Sequence, residues 1–443
     1  MTAQLAKGGV RVAKKTEDKA LKVRKPLRRI PLKTIPMLLL ITAYQLYTFS
    51  QLAVTNIKKL EINYTMLVYF GVFIACEWLY VIGMRVFAKR RNFEIELIGF
   101  FLTGIGFAAI GSAKPDGLLV QVAAFVLGLV GFTVLVWILG DSERAMKLRL
   151  PLGILAILIL VANIFLGTDI NGARNWIVIG NAVSVQPSEF VKIIFVFVGA
   201  ATLEKLQTSK NLYMFIGFSA ACVGVLFILK DFGTAVIFFL TFLLIAFMRS
   251  GDIRTIALAI ASAGLGGFLI AMFKTTVKNR LATYRHVWDD DMIDGKGFQQ
   301  TRVLIGIASG GLFGLGLGKG NVRKVIFSST DLIFGVVCEE MGIITGMAIL
   351  ACFVLFAVYA INNARTSRSA FYSIAATAAA GLLLFQASIN IFGVTDVIPF
   401  TGVTLPFISR GGSSMISCWG LLAFLKASDS RTYLTTYGEI KKK

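Results

Sequence analysis

Twelve stretches of predominantly apolar residues run through this chain, each about as long as the roughly 20 residues a helix needs to cross a bilayer. They fall at 34–54, 65–88, 93–113, 117–139, 149–168, 187–204, 211–229, 231–250, 253–275, 329–361, 370–395 and 403–427. In lipid every backbone polar group must find its partner within the protein, so such stretches fold as helices. The pattern predicts an all-α polytopic integral membrane bundle of about twelve transmembrane helices. Composition agrees. Only 16% of residues are charged, against about 25% in an average soluble protein.

The charges that remain are strongly basic, with a formal net charge of +21. A chain this basic invites a nucleic-acid reading. The placement of the excess argues against one. It lies in the N-terminal tail and in the short connections AKRRN (88–92), SERAMKLR (142–149), EKLQTSK (204–210), MRSGDIR (248–254) and NNARTSRS (362–369). Under a twelve-span count these alternate strictly with the other connections. Positive charge marks the cytoplasmic side, so both termini are expected there. The tail 1–33 is expected to be a disordered segment held near anionic lipid, with no cleavable signal peptide in it. One membrane domain follows, 34–427, and then a short cytoplasmic tail, 428–443. The five cysteines are scattered through apolar runs without a CxxC pair, which argues against a disulfide framework or a zinc site.

Two connections on the outer side are the informative ones, 169–186 and the long loop 276–328. Short connections are the rule, and a long polar one is more often functional. The long loop carries a carboxylate cluster, Asp289, Asp290, Asp291 and Asp294, and then the glycine-dense stretch IASGGLFGLGLGKG (307–320). That stretch is no phosphate loop, because Lys319 is followed by Gly320 rather than Ser or Thr. The Gly310–Gly314–Gly318 spacing fits close packing of a short helix instead. Glu189 and Lys192 stand three apart in QPSEFVK, on one helix face. They are either an ion pair that satisfies itself within the bundle or, with Arg174, the cationic side of a phosphate-receiving cavity. Lys230-Asp231 is either a tight turn or part of a site. Asp331, Glu339 and Glu340 stand at or within a span, where carboxylates face a partner or water. Gln386 and Asn390 share a helix face ahead of a broken, polar approach to the last span.

Taken together, NGARNWI, QPSEFVK, DFGTA, GKGFQ, GIASGGLFGLGLGKG, STDLIFGVVCEEMG and IPFTGVTLPFISRGGSS resemble the SEDS proteins, the FtsW/RodA/SpoVE group, over about 171–426. The resemblance implies an integral membrane glycosyltransferase that polymerises peptidoglycan from lipid II in elongation, division or sporulation. It implies a class B penicillin-binding protein as transpeptidase partner, and other divisome or elongasome membrane proteins around it. On the matching motifs it implies substrate-binding roles for Arg174, Trp176, Glu189, Lys192, Gln299, Glu339, Asn390 and Ser413. Three departures stand out. Two spans precede the usual ten. Arg410 stands where the family's SYGGSS-like motif has tyrosine. Counting back from Gly295 and Gly297, Met292 stands where the family has its catalytic aspartate, so a gapped loop places Asp294, or else Asp291, in that role. No clean metal motif exists, although a divalent cation (Mg or Mn) on the pyrophosphate is chemically reasonable. The other classes compatible with these features are a lipid-linked precursor transporter or flippase and a noncatalytic scaffold.

Overall fold

A computed structural model of the protein describes residues 33–433, apart from 57–60, 142–145, 171–172, 180–182, 205–208, 252, 255–256, 258–259, 262–263 and 265–274. The expected cytoplasmic tail and most of the expected span 253–275 therefore lie outside the described residues.

Ten of the twelve apolar runs each fall on one helix, and an eleventh, 329–361, falls on two. In chain order these are α1 (Thr34–Ala53), α2 (Tyr64–Val86), α3 (Glu94–Ala113), α4 (Leu118–Ile138), α5 (Arg149–Leu166), α6 (Pro187–Leu203), α7 (Ser209–Ile228) and α8 (Phe232–Ser250). Short helices of the long loop follow, α9 (Thr275–Thr283), α10 (Asp290–Ile293) and α11 (Phe298–Gly310). The C-terminal part is α12 (Ile333–Met341), α13 (Ile343–Ala364), α14 (Ala370–Val394) and α15 (Gly412–Ser428). Seven of the described helices are long and apolar enough to cross a membrane. The centre of the bundle is α3, α14 and α15, buried along almost their whole length, while α2, α5 and α7 turn most of their apolar residues outward. Trp419 on α15 sits at the middle of an aromatic cluster with Phe100, Phe125, Phe132 and Phe407.

Three expectations need correction. The run 329–361 is not one helix. It breaks at Gly342, whose φ of 85° suits glycine; a Cβ there would stand 2.2 Å from the Leu312 carbonyl, so the glycine-dense loop packs directly into the break. The run 403–427 becomes helical only at Gly412, because 400–411 is an irregular segment carrying Pro406 and a positive φ at Phe407. The glycine-rich stretch is helical only as far as Gly310; Gly314 and Gly318 lie in turns with φ of 82° and 78°. Close packing does hold at Gly310 and Gly314, which lie against the backbone of Cys338 to Glu340.

The chain also forms strands that apolar periodicity did not show. β1 (Val54–Asn56) and β2 (Glu61–Ile62) make a small hairpin between α1 and α2. β3 (Thr168–Ile170), β4 (Ala173–Ile179) and β5 (Val183–Val185) form an antiparallel sheet in the order β3-β4-β5 between α5 and α6. Thr168 pairs with Trp176, and Ile177 with Val185.

The two ends of the bundle differ in kind. One gathers the start of α3 and the end of α15, where the fully buried Lys426 pairs with Glu96 at 2.7 Å. Beside it Arg431 bridges Asp429 at 2.6 Å and Glu94 at 2.9 Å. This end is a closed ionic clamp. The other end gathers the β3–β5 sheet, the α3–α4 and α7–α8 turns, the long loop and the irregular segment 400–411, and it is open.

Candidate active site

At the open end these segments enclose a cavity of about 460 Å³. Each wall is placed by a local hydrogen-bond device. Asp231, in the turn between α7 and α8, caps α8 by accepting from Thr234 N at 3.2 Å. An Asp at this position satisfies a helix-start amide. Its other oxygen accepts from Asn175 Nδ2 of β4 at 2.9 Å and from Gln186 Nε2 at 3.1 Å. One carboxylate thus ties three chain segments together at the cavity wall.

On the next wall Lys192 and Glu189 pair at 2.8 Å, with 1% and 3% of their side chains exposed. Lys192 also donates to Gln386 Oε1 of α14 at 2.9 Å, and Gln386 in turn donates to the Thr404 carbonyl at 3.0 Å. The irregular segment 400–411 is therefore held by side chains of the helices around it. This is how non-helical backbone is tolerated at membrane depth. Asn390 donates to the carbonyls of Asp331 and Val403 at 2.8 and 2.6 Å. Gln121 of α4 donates to the Ser409 carbonyl and accepts from Gly411 N.

Arg410 enters from that segment. Its backbone amide donates to the Ser329 carbonyl at 2.8 Å, and its side chain passes over Gly117, where a Cβ would come within 2.6 Å of Arg410 Cδ. Among the described residues its buried Nε has no hydrogen-bond partner. Arg280 of α9 and Asp331 line the cavity with it. Both lie outside the spanning helices. Burial pushes the Asp331 carboxyl up to about 7 against the pull of Arg280, and the neighbouring charge of Asp231 adds to the rise. Burial likewise holds the Arg280 guanidinium below its usual range, with Asp231 and Asp331 opposing. A cavity with paired and unpaired cations, amide donors and one carboxylate of this kind can receive an anionic group and move a proton beside it.

The sequence candidates divide against this geometry. Trp176, Glu189 and Lys192 line the cavity. Arg174 does not; it is exposed, and its backbone amide donates to the Leu229 carbonyl. Glu339 is turned away, its carboxylate accepting from the amides of Asn321 and Val322 at 3.0 and 2.8 Å. Glu340 does the same for Gly318 and Gly320. The two glutamates hold the glycine-dense loop. Asn390 fixes backbone, and Ser413 accepts from Gln186 N at 3.3 Å. Gln299 is half-buried outside the cavity lining, while its neighbour Gln300 donates to the Gly393 carbonyl. Asp291 is exposed, and Asp294 has 85% of its side chain exposed with Arg302 at 3.8 Å. His286 pairs with Asp289 at the surface, 2.9 Å away. Lys114, Gln121, Asn175 and Arg280 are cavity residues that the sequence reading missed. Lys114 had one signal, a lysine in a very short connection between two apolar runs.

A bundle of membrane-length helices that closes one end with ion pairs and opens the other into a charged, amide-lined cavity is a multi-pass membrane protein with a polar cavity at one end of the bundle. The chain belongs to the FTSW_RODA_SPOVE family of cell cycle proteins, whose model matches residues 117–433. Peptidoglycan glycosyltransferase RodA of Mycobacterium tuberculosis (strain ATCC 25618 / H37Rv) is 27% identical over 335 residues, 71% of each chain. Stage V sporulation protein E of Bacillus subtilis (strain 168) is 32% identical over 271 residues, 59% of this chain and 72% of that one. A chain solved as part of a peptidoglycan synthase complex superposes with a TM-score of 0.65 at 25% identity, covering 75% of this chain and 96% of that one. Helices α1 to α3 precede the matched region.

Proposed function

We propose that this protein polymerises peptidoglycan glycan strands, transferring disaccharide-peptide units from lipid II to a growing chain at the outer membrane face. The observation that carries this reading is the cavity, which sets Lys192, Arg280 and Arg410 around one space inside a member of a family whose relatives are peptidoglycan glycosyltransferases. The reaction makes three demands. An acceptor hydroxyl loses a proton as it attacks the anomeric carbon, a positioned carboxylate serves as general base, and cations receive the diphosphate charge as it develops. One base and no covalent intermediate give inversion, by analogy with inverting glycosidases. The sequence candidates for the base are Asp294 and, after it, Asp291. Serving so requires the loop to carry one of them over the cavity.

The donor set does not suit a resident divalent cation. Both oxygens of Asp231 are occupied by nitrogen donors, Glu189 is held by Lys192, and no group of three His, Cys, Asp or Glu side chains gathers among the described residues. A class B penicillin-binding protein supplies the crosslinking step in this reading, with other elongation or division proteins around the pair. Both termini and the closed ionic end then face the cytoplasm.

Met292, standing at the family's aspartate position, favours a second reading, a noncatalytic scaffold. One assay separates them. The purified protein, with and without a co-purified class B penicillin-binding protein, is given lipid II and the products are resolved on a gel. Muramidase-sensitive polymer supports the proposal. Binding of the partner without polymer supports the scaffold. Movement of lipid II across a vesicle bilayer without polymer supports a flippase.

A further inference from the structure

We infer that Gln51 of α1 is a positioning residue, which fixes the far end of the loop segment that carries Asp291 and Asp294. The inference rests on the proposed polymerisation, in which one of those two aspartates is the base. It starts from the glycine-dense loop. A buried backbone amide must find a partner, and every amide from Gly314 to Val322 has one. Gly314 N and Lys319 N donate to the nearby carbonyls of Gly310 and Gly316. Leu315 N and Gly316 N donate to the carbonyls of Glu339 and Glu340 of α12. Gly318, Gly320, Asn321 and Val322 donate to the carboxylates of the same two residues. Leu317 is the exception. Its amide donates to Gln51 Oε1 at 3.1 Å, and Gln51 stands 266 residues earlier in the chain. Leu317 is buried, so without Gln51 its amide would have little water to turn to.

α1 and α2 precede the region 117–433 that the family model matches, and the glycine-dense loop lies within it. The Leu317 amide is thus a need of the shared part met by the added part. α1 is stiff enough to meet it. Trp78 of α2 donates to Thr42 Oγ1 at 3.0 Å, and Gln45 donates to Glu77 Oε1 at 2.9 Å. The rings of Phe49 and Phe70 stack 4.0 Å apart. The other side of α1 lies close on α3. A Cβ at Gly104 would stand 2.9 Å from Gln45 Nε2, and one at Gly111 would stand 3.1 Å from Leu52 Cδ1. Small residues permit such an approach. Leu52 also reaches the loop, 4.0 Å from where a Cβ of Gly318 would stand. Gln51 therefore projects from a helix that is packed on two sides.

The loop passes this anchor on towards the site. Cβ atoms at Gly306 and Gly310 of α11 would run into Val322 and the Cys338 carbonyl, so α11, the glycine-dense loop and α12 pack as one unit. Asp291 and Asp294 stand just ahead of α11, and both are exposed. Bringing one of them over the cavity is a movement of the near end of this unit, and its accuracy depends on a fixed far end. Small misplacements of a reacting group cost large factors in rate. Gln51 supplies the far-end constraint from outside the loop, without touching substrate.

The test uses full-length protein with its co-purified penicillin-binding partner and takes two readings, amide hydrogen exchange in peptides covering 311–322 and initial rates of lipid II polymerisation. Gln51→Met keeps the length of the side chain and removes its acceptor. It is expected to speed exchange at Leu317 roughly 5- to 100-fold. It is also expected to lower kcat roughly 10- to 100-fold with KM nearly unchanged, because the cavity itself is untouched. Gln51→Glu keeps an accepting oxygen, and Lys319 Nζ, which like Gln51 Oε1 lies within 4 Å of where a Cβ of Gly316 would stand, offsets the added charge. This variant is expected to keep wild-type exchange and most of kcat. A packing role alone gives the reverse order, since methionine fills the space and glutamate adds a charge. Unchanged exchange at Leu317 in Gln51→Met overturns the anchor. Faster exchange with unchanged kcat overturns its part in the reaction. Should Gln51→Met fail to fold, faster exchange in Gln51→Glu overturns the inference instead. Wild-type protein that makes no polymer removes the glycosyl-transfer reading, and exchange at Leu317 then tests the anchor alone.

Discussion

Replacing Lys192 by methionine separates what the buried pair does for the fold from what it does for the reaction. Methionine keeps most of the apolar stem, so packing changes little. The charge is another matter. Lys192 and Glu189 are almost completely buried and 2.8 Å apart, and Gln386 loses its donor as well. Removing one member of such a pair leaves a buried, uncompensated charge and costs about 3–5 kcal/mol. The partner variant Glu189→Gln, combined with Lys192→Met, leaves a neutral amide that Gln386 can bond, and neutral replacement of a whole buried pair is often nearly cost-free. The prediction is that Lys192→Met lowers the unfolding midpoint of the detergent-solubilised protein sharply, that the double variant recovers most of the loss, and that polymerisation stays low in both. A single variant as stable as wild type refutes the burial argument. A double variant with restored stability and normal turnover shows that Lys192 has no part in receiving the diphosphate.

Three other outcomes can be stated. Gly310→Ala should destabilise the protein by about 1–3 kcal/mol, read as a lower melting temperature, because its Cβ would meet the Cys338 carbonyl at 2.2 Å and that backbone cannot yield. Stability should depend on Asp331 with a definite sign. Its carboxyl is raised from 3.8 to about 7 in the fold, so its contribution is fully present below pH 4 and is lost as pH rises through 7; Asp331→Asn should therefore melt above wild type at pH 8 and close to it at pH 4. Under the proposed orientation, a cysteine placed at position 296 should react with an impermeant maleimide applied from outside, and one at position 210 should not; the reverse pattern refutes that orientation.

The spans were legible because apolar length is a one-dimensional property. So was the irregular approach to α15, announced by Pro399, Pro406 and paired glycines. The break at Gly342 was not legible, since a glycine inside an apolar run is equally compatible with a helix that packs closely. The β3–β5 sheet was missed because ARNWIVI alternates too weakly to declare a strand. In the site, Glu189 and Lys192 were legible as a pair from their spacing. Whether the pair faced a cavity depended on Gln386, 194 residues later in the chain. Arg280 and Asp331 meet across a loop whose path no local pattern reveals. The loop aspartates attracted attention through register and number, and neither reports exposure.

Glu339 shows most directly why polarity within a membrane protein is an incomplete guide to function. A carboxylate inside a span is expensive, which points towards a ligand or a proton path. Here the need comes from elsewhere in the fold. The glycine-dense loop folds back against α12 in an irregular conformation and presents amides at Gly318, Gly320, Asn321 and Val322, each of which must be bonded. Glu339 and Glu340 accept all four. The same logic governs Gln121, Gln386, Ser409 and Asn390, which hold irregular backbone around the cavity. Once these duties are assigned, Asp331 and the Nε of Arg410 are among the described groups at the cavity wall that keep hydrogen-bonding capacity. It is this unfilled capacity at the cavity wall, more than the presence of charge in the sequence, that separates residues able to meet a substrate from residues that make the cavity possible.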